Sequence, residues 1–279
     1  MILLGGPIFV KADDPEEWAL AVRKEGYSAA YCPLKPEADD KTVRAYAEAA
    51  DRHGVVIAET GAWSNPLSSD EKERAAAMAK CTAMLDLAER IGARCCVNIT
   101  GSRSEGHWDG PDTKNLTDET FDKIVQTTRS ILDAVRPTHT FYTLETMPWM
   151  FPESVESYQR LIQAIDRPSA AVHFDAVNLV NCPRRYYDTA GLIRHFVNTL
   201  GPLIKSCHAK DIRIDTKLTL HLDEVCPGEG GLDYPALLRA LDALPGDVPL
   251  MLEHLPDEPT YRRAANHVRR VAQQEGIKL

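Results

Sequence analysis

Four acidic or imidazole side chains stand at the ends of four successive β-rich segments in the second half of the chain. They are Glu145, Asp175, His208 and Glu253, each at the last inward position of its segment. Two glutamates, an aspartate and a histidine form a set of hard oxygen and nitrogen ligands, which suits Mn²⁺, Mg²⁺ or Co²⁺. Without a cation, such converging groups would repel one another or stay unpaired. The pattern therefore predicts a divalent metal site, and the lack of a thiolate argues against structural zinc.

A metal site of this kind suits proton transfer next to a carbonyl group. A divalent cation that holds a carbonyl oxygen and the neighbouring hydroxyl of a sugar stabilises the enediolate that forms when the α-carbon loses a proton. Glu145 and Glu253 come from segments separated by two others, so they can face the substrate from opposite sides as acid and base. Transfer across one carbon gives epimerisation, transfer between neighbouring carbons gives aldose–ketose isomerisation, and loss of a β-hydroxyl gives dehydration. The residues leave these three outcomes open.

Other polar and aromatic residues near the segment ends are candidates for substrate contact. Lys210 lies two residues beyond His208 on the same side, where it could hold a substrate oxygen or be a solvated lysine. His173 precedes Asp175 by two residues and could donate to a ligand carboxylate or simply fill the interior. Four residues in the loops after the third and fourth segments suit a sugar ring, although the tryptophans could equally cover the mouth without touching a ligand. These four are Trp63, Asn65, His107 and Trp108.

Strand-like and helix-like segments alternate along the whole chain. The predicted strands cover residues 2–10, 29–34, 55–60, 95–100, 140–147, 170–177, 204–209 and 249–255. The clearest predicted helices cover residues 69–91 and 117–136, where apolar residues recur at spacings of three and four. Capping residues at Asp14 and within 68–71 mark helix starts. Four glycines stand where a left-handed residue is expected to end a helix: Gly26, Gly54, Gly92 and Gly201.

Eight such strand–helix units are typical of one α/β architecture, the single (β/α)8 TIM barrel. The whole chain, residues 1–279, would form this one domain. A doubly wound open sheet is the alternative, but the turn Gly5-Gly6-Pro7 is not the glycine-rich motif that such a sheet often carries. In barrels the carboxyl ends of the strands form the mouth where chemistry occurs. The four predicted ligands would therefore meet there.

The composition argues against several kinds of partner. The chain carries 41 acidic and 32 basic residues, a net charge of −9, so we expect no nucleic-acid partner. The longest apolar stretches are about six residues, far below the roughly 20 that cross a bilayer, and the N-terminus lacks a signal-peptide pattern. We therefore expect no membrane partner and a cytoplasmic protein. Seven cysteines without CxxC spacing predict reduced, mostly buried thiols.

The strand-end residues and two further motifs resemble the xylose isomerase-like sugar phosphate isomerase/epimerase superfamily. The motifs are HxKD at residues 208–211 and PGEGGLDY at residues 227–234. The resemblance spans nearly the whole chain and implies that the four strand-end residues hold a divalent metal, typically Mn²⁺, with Mg²⁺, Co²⁺ or Zn²⁺ as further candidates. It also implies that Glu145 and Glu253 form the acid/base pair of a sugar isomerase or epimerase. A homo-oligomer, either dimer or tetramer, follows from the same resemblance.

Two positions depart from the ketose 3-epimerase branch of that superfamily. In that branch the ligand aspartate is followed three positions later by a histidine that contacts the substrate, and here this position is Asn178. The substrate-contacting arginine of that branch lies six residues beyond the ligand histidine, where this chain has Ile214. Arg213, one place earlier, becomes the candidate for that contact. These departures argue against assignment to that branch.

The sequence thus predicts a divalent-metal-dependent isomerase or epimerase of a sugar, ketose or keto-polyol. Backbone N–H groups of the glycine-rich run 228–231 could bind a phosphate, but Glu229 and the overall acidity favour an unphosphorylated substrate. The alternative is a metal-dependent lyase on the same scaffold, such as a keto-inositol or dehydroshikimate dehydratase or a subunit that cleaves oxidised glycosides by elimination. An endonuclease IV-like phosphodiesterase would need about three zinc ions and a basic rim. A further alternative is a non-catalytic barrel that serves as a binding subunit, and for this alternative changes at Glu145 or Glu253 would leave every measured activity unchanged.

Overall fold

Eight short parallel strands close into a barrel in the computed structural model, which describes residues 1–279. The strands are β1 (Ile2–Gly5), β2 (Ala29–Tyr31), β3 (Val56–Gly61), β4 (Cys95–Asn98), β5 (Phe141–Glu145), β6 (Ala170–Asp175), β7 (Ile204–Ala209) and β10 (Val248–Leu252). The ring runs in the order β1-β10-β7-β6-β5-β4-β3-β2. This closed barrel confirms the predicted (β/α)8 TIM barrel and excludes the open sheet.

Several strands end earlier than predicted, which moves polar residues into the mouth loops. β1 ends at Gly5 and not at residue 10, because Pro7 has no backbone N–H with which to extend the pairing. β6 ends at Asp175, and its carboxylate accepts from the next backbone N–H groups so that a short 3₁₀ turn follows at Val177–Leu179. The strand residues that face the barrel interior alternate with residues that face the helices. As a result, the last inward side chains stand at the mouth.

Nine helices accompany the strands. They are α1 (Pro15–Lys24), α2 (Asp40–Arg52), α3 (Glu71–Ile91), α4 (Asp118–Val135), α5 (Val155–Ile165), α6 (Pro183–Tyr186), α7 (Thr189–Leu200), α8 (Tyr234–Asp242) and α9 (Glu258–Glu275). The two clearest predicted helices, 69–91 and 117–136, form as α3 and α4 within two residues of the predicted ends. Their apolar faces pack on the outside of the barrel and form the main hydrophobic core between the two layers.

The helix ends follow the predicted signals with two exceptions. Asp14 caps α1 as predicted, whereas Asp70, and not Ser68, caps α3 by accepting from the backbone N–H of Glu73. Three of the four glycines have the expected positive φ: Gly26, Gly54 and Gly92. The prediction was wrong for Gly201, whose φ is −47°, because the chain continues there directly into the 3₁₀ turn Gly201–Leu203 and needs no left-handed residue.

A β-hairpin that the sequence analysis did not predict follows β7 at the mouth. Its strands, β8 (Asp211–Asp215) and β9 (His221–Val225), pair in antiparallel register. The Asp211 carboxylate accepts hydrogen bonds from the backbone N–H groups of Gly228 at 2.9 Å, Gly230 at 3.0 Å and Leu232 at 2.9 Å. The glycine-rich segment is thereby folded onto the hairpin, and its N–H groups already have an acceptor.

The state of the cysteines and the apolar character of the helices bear on two further predictions. All seven cysteines are free, and five of them are buried. No helix in the structure combines the length and apolar character that a membrane crossing requires.

Candidate metal centre and active site

The four predicted metal ligands lie together at the mouth of the barrel. Glu145 ends β5, Asp175 ends β6, His208 lies one residue before the end of β7, and Glu253 directly follows β10. One ligand atom from each residue lies within 4.8 Å of the others. His208 Nδ1 is 2.8 Å from Glu145 Oε1, 2.8 Å from Glu253 Oε1 and 3.9 Å from Asp175 Oδ2. The structure thus brings all four residues together, and metal binding by them stays a prediction.

Two oxygens of this cluster show the feature expected of cation ligands. Asp175 Oδ2 and Glu253 Oε1 are buried and accept no hydrogen bond of good geometry. The other oxygen of Asp175 accepts from the backbone N–H groups of Val177 at 2.9 Å and Asn178 at 3.1 Å, which holds the carboxylate in place and leaves Oδ2 facing the cluster. Buried carboxylate oxygens need a positive charge beside them, which a bound ion or the nearby Lys210 ammonium can supply, and oxygen with imidazole suits Mn²⁺, Mg²⁺ or Co²⁺. The residues present therefore fit a divalent metal.

Lys210 lies inside the same cluster. Its side chain is almost fully buried, and Nζ is 2.9 Å from Asp175 Oδ2 and 2.7 Å from Glu253 Oε1. Burial alone would favour the neutral amine, but the carboxylates of Asp175, Glu145 and Glu253 hold the pKa of Lys210 well above its ordinary value. The ammonium therefore balances the charge of the two oxygens that a metal ion would use. A metal ion entering the site must push this ammonium aside.

We expect the substitution Lys210→Met to tighten Mn²⁺ binding by about tenfold, because it removes a positive charge that competes with the ion for the same oxygens. Isothermal titration calorimetry with Mn²⁺ measures this affinity. Lys205→Met, at the opposite end of the same strand, is the matched control and should leave the affinity unchanged. Unchanged or weaker Mn²⁺ binding by the Lys210 variant would show that the ammonium does not compete.

A buried glutamate that the sequence analysis missed lies beneath the ligands. Glu59 in β3 is 2% exposed, and its Oε1 lies 3.0 Å from His173 Nε2 and accepts from the hydroxyl of Ser206. Its other oxygen is 3.4 Å from His208 Nε2. His208 thus presents one ring nitrogen to Glu59 and the other to the ligand cluster, an arrangement that fixes ring orientation and tautomer in metal sites. The only signal in the sequence was a glutamate inside an otherwise apolar strand.

The charge state of this network follows from its geometry. Burial alone would raise the pKa of Glu59, but the imidazoles of His173 and His208 hold it well below its usual range. Glu59 is therefore a carboxylate that accepts hydrogen bonds from both rings. We expect Glu59→Gln to weaken Mn²⁺ binding by roughly tenfold, since outer carboxylates of this kind typically contribute that much to metal affinity.

The control for Glu59→Gln is a second glutamate that also accepts several hydrogen bonds. Glu89, in α3, accepts from the backbone N–H groups of residues 138–140 at the far end of β5, and those hydrogen bonds outweigh burial to lower its pKa to about 2. Glu89→Gln should lower the thermal midpoint without changing Mn²⁺ affinity. Equal affinity losses in both variants would mean that Glu59 acts only through overall stability.

A cavity of about 500 Å³ opens above the ligand cluster. It is lined by several predicted residues and by others that the sequence analysis did not single out. The predicted ones are Glu145, Glu253, Lys210, Trp63 and Trp108. The cavity places two of the candidate ligands in contact with any molecule bound at the mouth.

Four predicted substrate-binding residues do not line this cavity. His173 is fully buried and contacts Glu59, one layer below the ligands and not a ligand carboxylate. Asn65 is also buried, and its side-chain amide donates to the backbone carbonyl of Ser102 at 2.8 Å. His107 is exposed and pairs with Asp109. Arg213 lies exposed on the hairpin strand β8, because the hairpin turns it away from the mouth.

Two further cavity residues were not singled out by the sequence analysis: Glu224, which lies on the hairpin that was not predicted, and His254, which follows Glu253 after β10. Glu224, in β9, lies 3.8 Å from Lys210 Nζ and 3.3 Å from His254 Nδ1. His254 has a positive φ of 57°, which for a residue other than glycine is uncommon and is often found at functional sites. Asn178 also lines the cavity, with Nδ2 3.5 Å from Glu145 Oε1. These side chains complete a polar wall around the candidate ligands.

Several solved structures of other proteins share this architecture. D-psicose 3-epimerase from Clostridium cellulolyticum H10, solved with D-tagatose, shares 16% identity over 98% of this chain and 99% of that chain, with a TM-score of 0.69. A probable 3-DHS dehydratase involved in petrobactin synthesis from Bacillus anthracis shares 14% identity over 98% and 99%, with a TM-score of 0.70. A 3-keto-D-glucoside 4-epimerase from E. coli shares 14% over 97% and 100%, with a TM-score of 0.68.

At these identities the likeness shows the shared fold. Curated protein sequences give no significant match to the chain. The sequence profile of one family does match, and it spans residues 20–271, nearly the whole barrel. The chain belongs to the xylose isomerase-like TIM barrel family.

Proposed function

We propose that the protein is a divalent-metal-dependent isomerase or epimerase of a sugar, ketose or keto-polyol. The observation that carries this proposal is the cluster of four candidate ligands at the mouth, in which the charges of the buried oxygens Asp175 Oδ2 and Glu253 Oε1 are balanced in the metal-free protein by the Lys210 ammonium. Mn²⁺ is the metal we favour, and Mg²⁺, Co²⁺ and Zn²⁺ are to be compared with it. The fold is shared with enzymes that epimerise sugars and with a dehydratase, so the fold alone does not choose the reaction.

The proposed roles follow from the positions of the side chains. Glu145, Asp175, His208 and Glu253 would hold the metal, which when bound stabilises negative charge on a substrate oxygen. Glu145 and Glu253 lie on strands separated by β6 and β7 in the ring, so they flank the position between them from two sides. Each glutamate can accept a proton from a carbon held there or return one to it. Lys210 would donate to a substrate oxygen once it leaves the two ligand oxygens.

The glycine-rich segment supports an unphosphorylated substrate. The backbone N–H groups of Gly228 and Gly230 donate to the Asp211 carboxylate, so a phosphate would have to replace an acceptor that the chain itself provides. The negative charge of Asp211 would also repel a phosphate at that position. We therefore propose that the reacting molecule is a neutral sugar or polyol.

The proposed reaction is tested by proton exchange in D₂O. The protein with Mn²⁺ is incubated with D-psicose, D-tagatose and D-fructose, and deuterium at the carbons next to the carbonyl is measured by NMR. We expect deuterium incorporation together with an epimer or isomer. Deuterium incorporation that requires the metal supports the proposal, whereas no incorporation and no new sugar with any of these ketoses would refute an isomerase or epimerase acting on ketohexoses.

A lyase on the same scaffold is the second candidate, and Asn178 favours it. The amide of Asn178 lines the cavity next to Glu145, where the ketose 3-epimerase branch carries a histidine that contacts the substrate. An amide can orient a substrate but does not take up a proton. Incubation with a keto-inositol or dehydroshikimate separates the two candidates. A lyase removes water and gives a conjugated product with a new absorbance, which an epimerase does not form.

A further inference from the structure

One wall of the cavity is aromatic. Three of the four tryptophans in the chain line it: Trp63, Trp108 and Trp149. They lie in the loops after β3, β4 and β5, three strands that are neighbours in the barrel ring, so the three side chains lie along the same side of the cavity. The polar groups of the cavity come mainly from the other side. Lys210 follows β7, Glu224 lies in β9, and Glu253 follows β10. A bound molecule therefore contacts charged side chains on one side and aromatic side chains on the other.

The aromatic wall has an inner and an outer part. Trp63 is the inner part, because its ring centroid lies 6.1 Å from that of the candidate ligand His208 and it packs against the small apolar cluster of Ile99, Met147 and Met150. Trp108 and Trp149 form the outer part, and they are 42% and 40% exposed. The indole N–H of Trp149 donates to the backbone carbonyl of Asp109 at 2.8 Å, which ties the loop after β5 to the loop after β4.

The exposure of the outer pair has no structural explanation within the chain. Large aromatic side chains contribute most when their faces are covered, and tryptophan faces readily stack on flat rings. The N–H of Trp149 is already used by the backbone of Asp109, so the exposed part of its side chain can contact a ligand only through the ring. Exposed aromatic side chains inside a cavity, as opposed to those on a convex surface, are typical of ligand contact.

The size of the cavity exceeds the needs of a single sugar ring. At about 30 Å³ for each liquid water, roughly 17 waters fill 500 Å³, whereas a hexose has about 12 non-hydrogen atoms that are packed more closely than waters. A monosaccharide held at the ligand cluster and against Trp63 would leave the outer pair uncovered. The remaining space adjoins Trp108 and Trp149.

We propose that the site binds a two-ring molecule, with the reacting sugar ring at the ligand cluster and a second ring, sugar or aromatic, stacked on Trp108 and Trp149. The role of the first ring rests on the proposed function, whereas the second ring rests on the aromatic wall alone. A ring that is joined to its neighbour through an acetal has no free carbonyl at the linking carbon. In the proposed substrate the reacting ring supplies the acetal carbon of the link, so the carbonyl that the reaction requires is a ketone at another carbon of that ring and the substrate class is a keto-glycoside.

The binding test uses glucosides that carry no ketone and therefore do not react. Methyl β-D-glucopyranoside supplies one ring, phenyl β-D-glucopyranoside adds an aromatic ring, and methyl β-cellobioside adds a sugar ring without a free carbonyl. Quenching of tryptophan fluorescence in the presence of Mn²⁺ gives each affinity, since three of the four tryptophans line the cavity. We expect at least one two-ring probe to bind about tenfold more tightly than the methyl glucoside. The two-ring probe that binds more tightly shows whether the second ring is aromatic or a sugar.

Variants identify where the second ring binds, with calorimetry as the readout. Trp108→Ala and Trp149→Ala should each reduce the two-ring advantage and together remove it, while affinity for the methyl glucoside stays within about twofold. Trp108→Phe and Trp149→Phe should keep most of the advantage, because they retain a ring for stacking. Tyr187→Ala is the matched control, an exposed aromatic outside the cavity that should change nothing.

Equal affinity for one-ring and two-ring probes, absence of binding by all three, or an advantage that survives in the double alanine variant would each overturn the inference. Failure of the proposed function looks different. A protein that exchanges deuterium into ketohexoses but shows no two-ring advantage keeps the proposed reaction and loses this inference. A protein with the two-ring advantage but without exchange, even into a keto-glycoside prepared by oxidising phenyl β-D-glucopyranoside at one ring carbon, keeps the subsite and loses the reaction.

Discussion

Glu145→Gln and Glu253→Gln should each lower turnover by about 1,000-fold, because each removes a group proposed to transfer a proton to or from the substrate. An amide has nearly the same shape as the carboxylate but takes up no proton near neutral pH. Turnover is followed as the Mn²⁺-dependent conversion of the ketose, or of the keto-glycoside, that shows the fastest deuterium exchange. Both glutamates lie in the cluster, with Oε1 2.8 Å from His208 Nδ1 in each case, so the two losses should be similar.

Loss of a metal ligand must be separated from loss of a proton acceptor. Mn²⁺ affinity is therefore measured for each variant, and turnover is compared at metal concentrations that saturate it. Glu224→Gln is the matched control, because Glu224 lines the same cavity beside Lys210 but is not part of the ligand cluster, and we expect it to retain more than a tenth of the activity. Full activity of either ligand variant at saturating Mn²⁺ would rule out the acid/base role of that glutamate.

Lowering the pH from 8 to 6 should weaken Mn²⁺ binding by roughly 100-fold, because the metal must displace a proton from His208. Burial alone would lower the pKa of His208, but the carboxylates of Glu253, Glu59 and Glu145 hold it well above its ordinary value in the metal-free protein. Below that raised pKa the ring is an imidazolium without a lone pair for a metal. The apparent affinity therefore falls about tenfold for each unit by which the pH lies below the pKa.

Calorimetric titrations at pH 6, 7 and 8, in two buffers with different ionisation enthalpies, measure both the affinity and the number of protons released. We expect about one proton released per Mn²⁺ bound. His195→Asn, which changes a half-exposed histidine of α7 paired with Glu156, should leave the slope unchanged. A pH-independent affinity with no proton release would mean that His208 is already neutral or does not bind the metal.

The sequence alone determined the architecture and the candidate ligands. Short β-rich runs define the strands locally, and apolar residues at spacings of three and four define the helices, so eight alternating units were sufficient to predict the barrel. The ends of parallel strands all lie at one edge of a sheet, and for that reason Glu145, Asp175, His208 and Glu253 were expected to meet. Their positions in the structure agree with that expectation because each depends only on where its own strand ends.

Only the tertiary structure decided which residues from distant strands touch one another. Glu59 contacts His173 and His208 across 114 and 149 residues of chain, and this contact depends on how the strands are staggered when the barrel closes. No local pattern records that stagger, so Glu59 escaped notice.

The β8–β9 hairpin shows the same effect at the mouth. It carries Glu224 toward the cavity and turns Arg213 to solvent, although the two lie eleven residues apart on adjoining strands. Asp211 bends the glycine-rich segment back onto the hairpin and uses N–H groups that a local reading assigns to a phosphate. Strand ends are local features that the chain order predicts, whereas partners across the barrel are set by its closure and by the buried hydrogen bonds that closure permits.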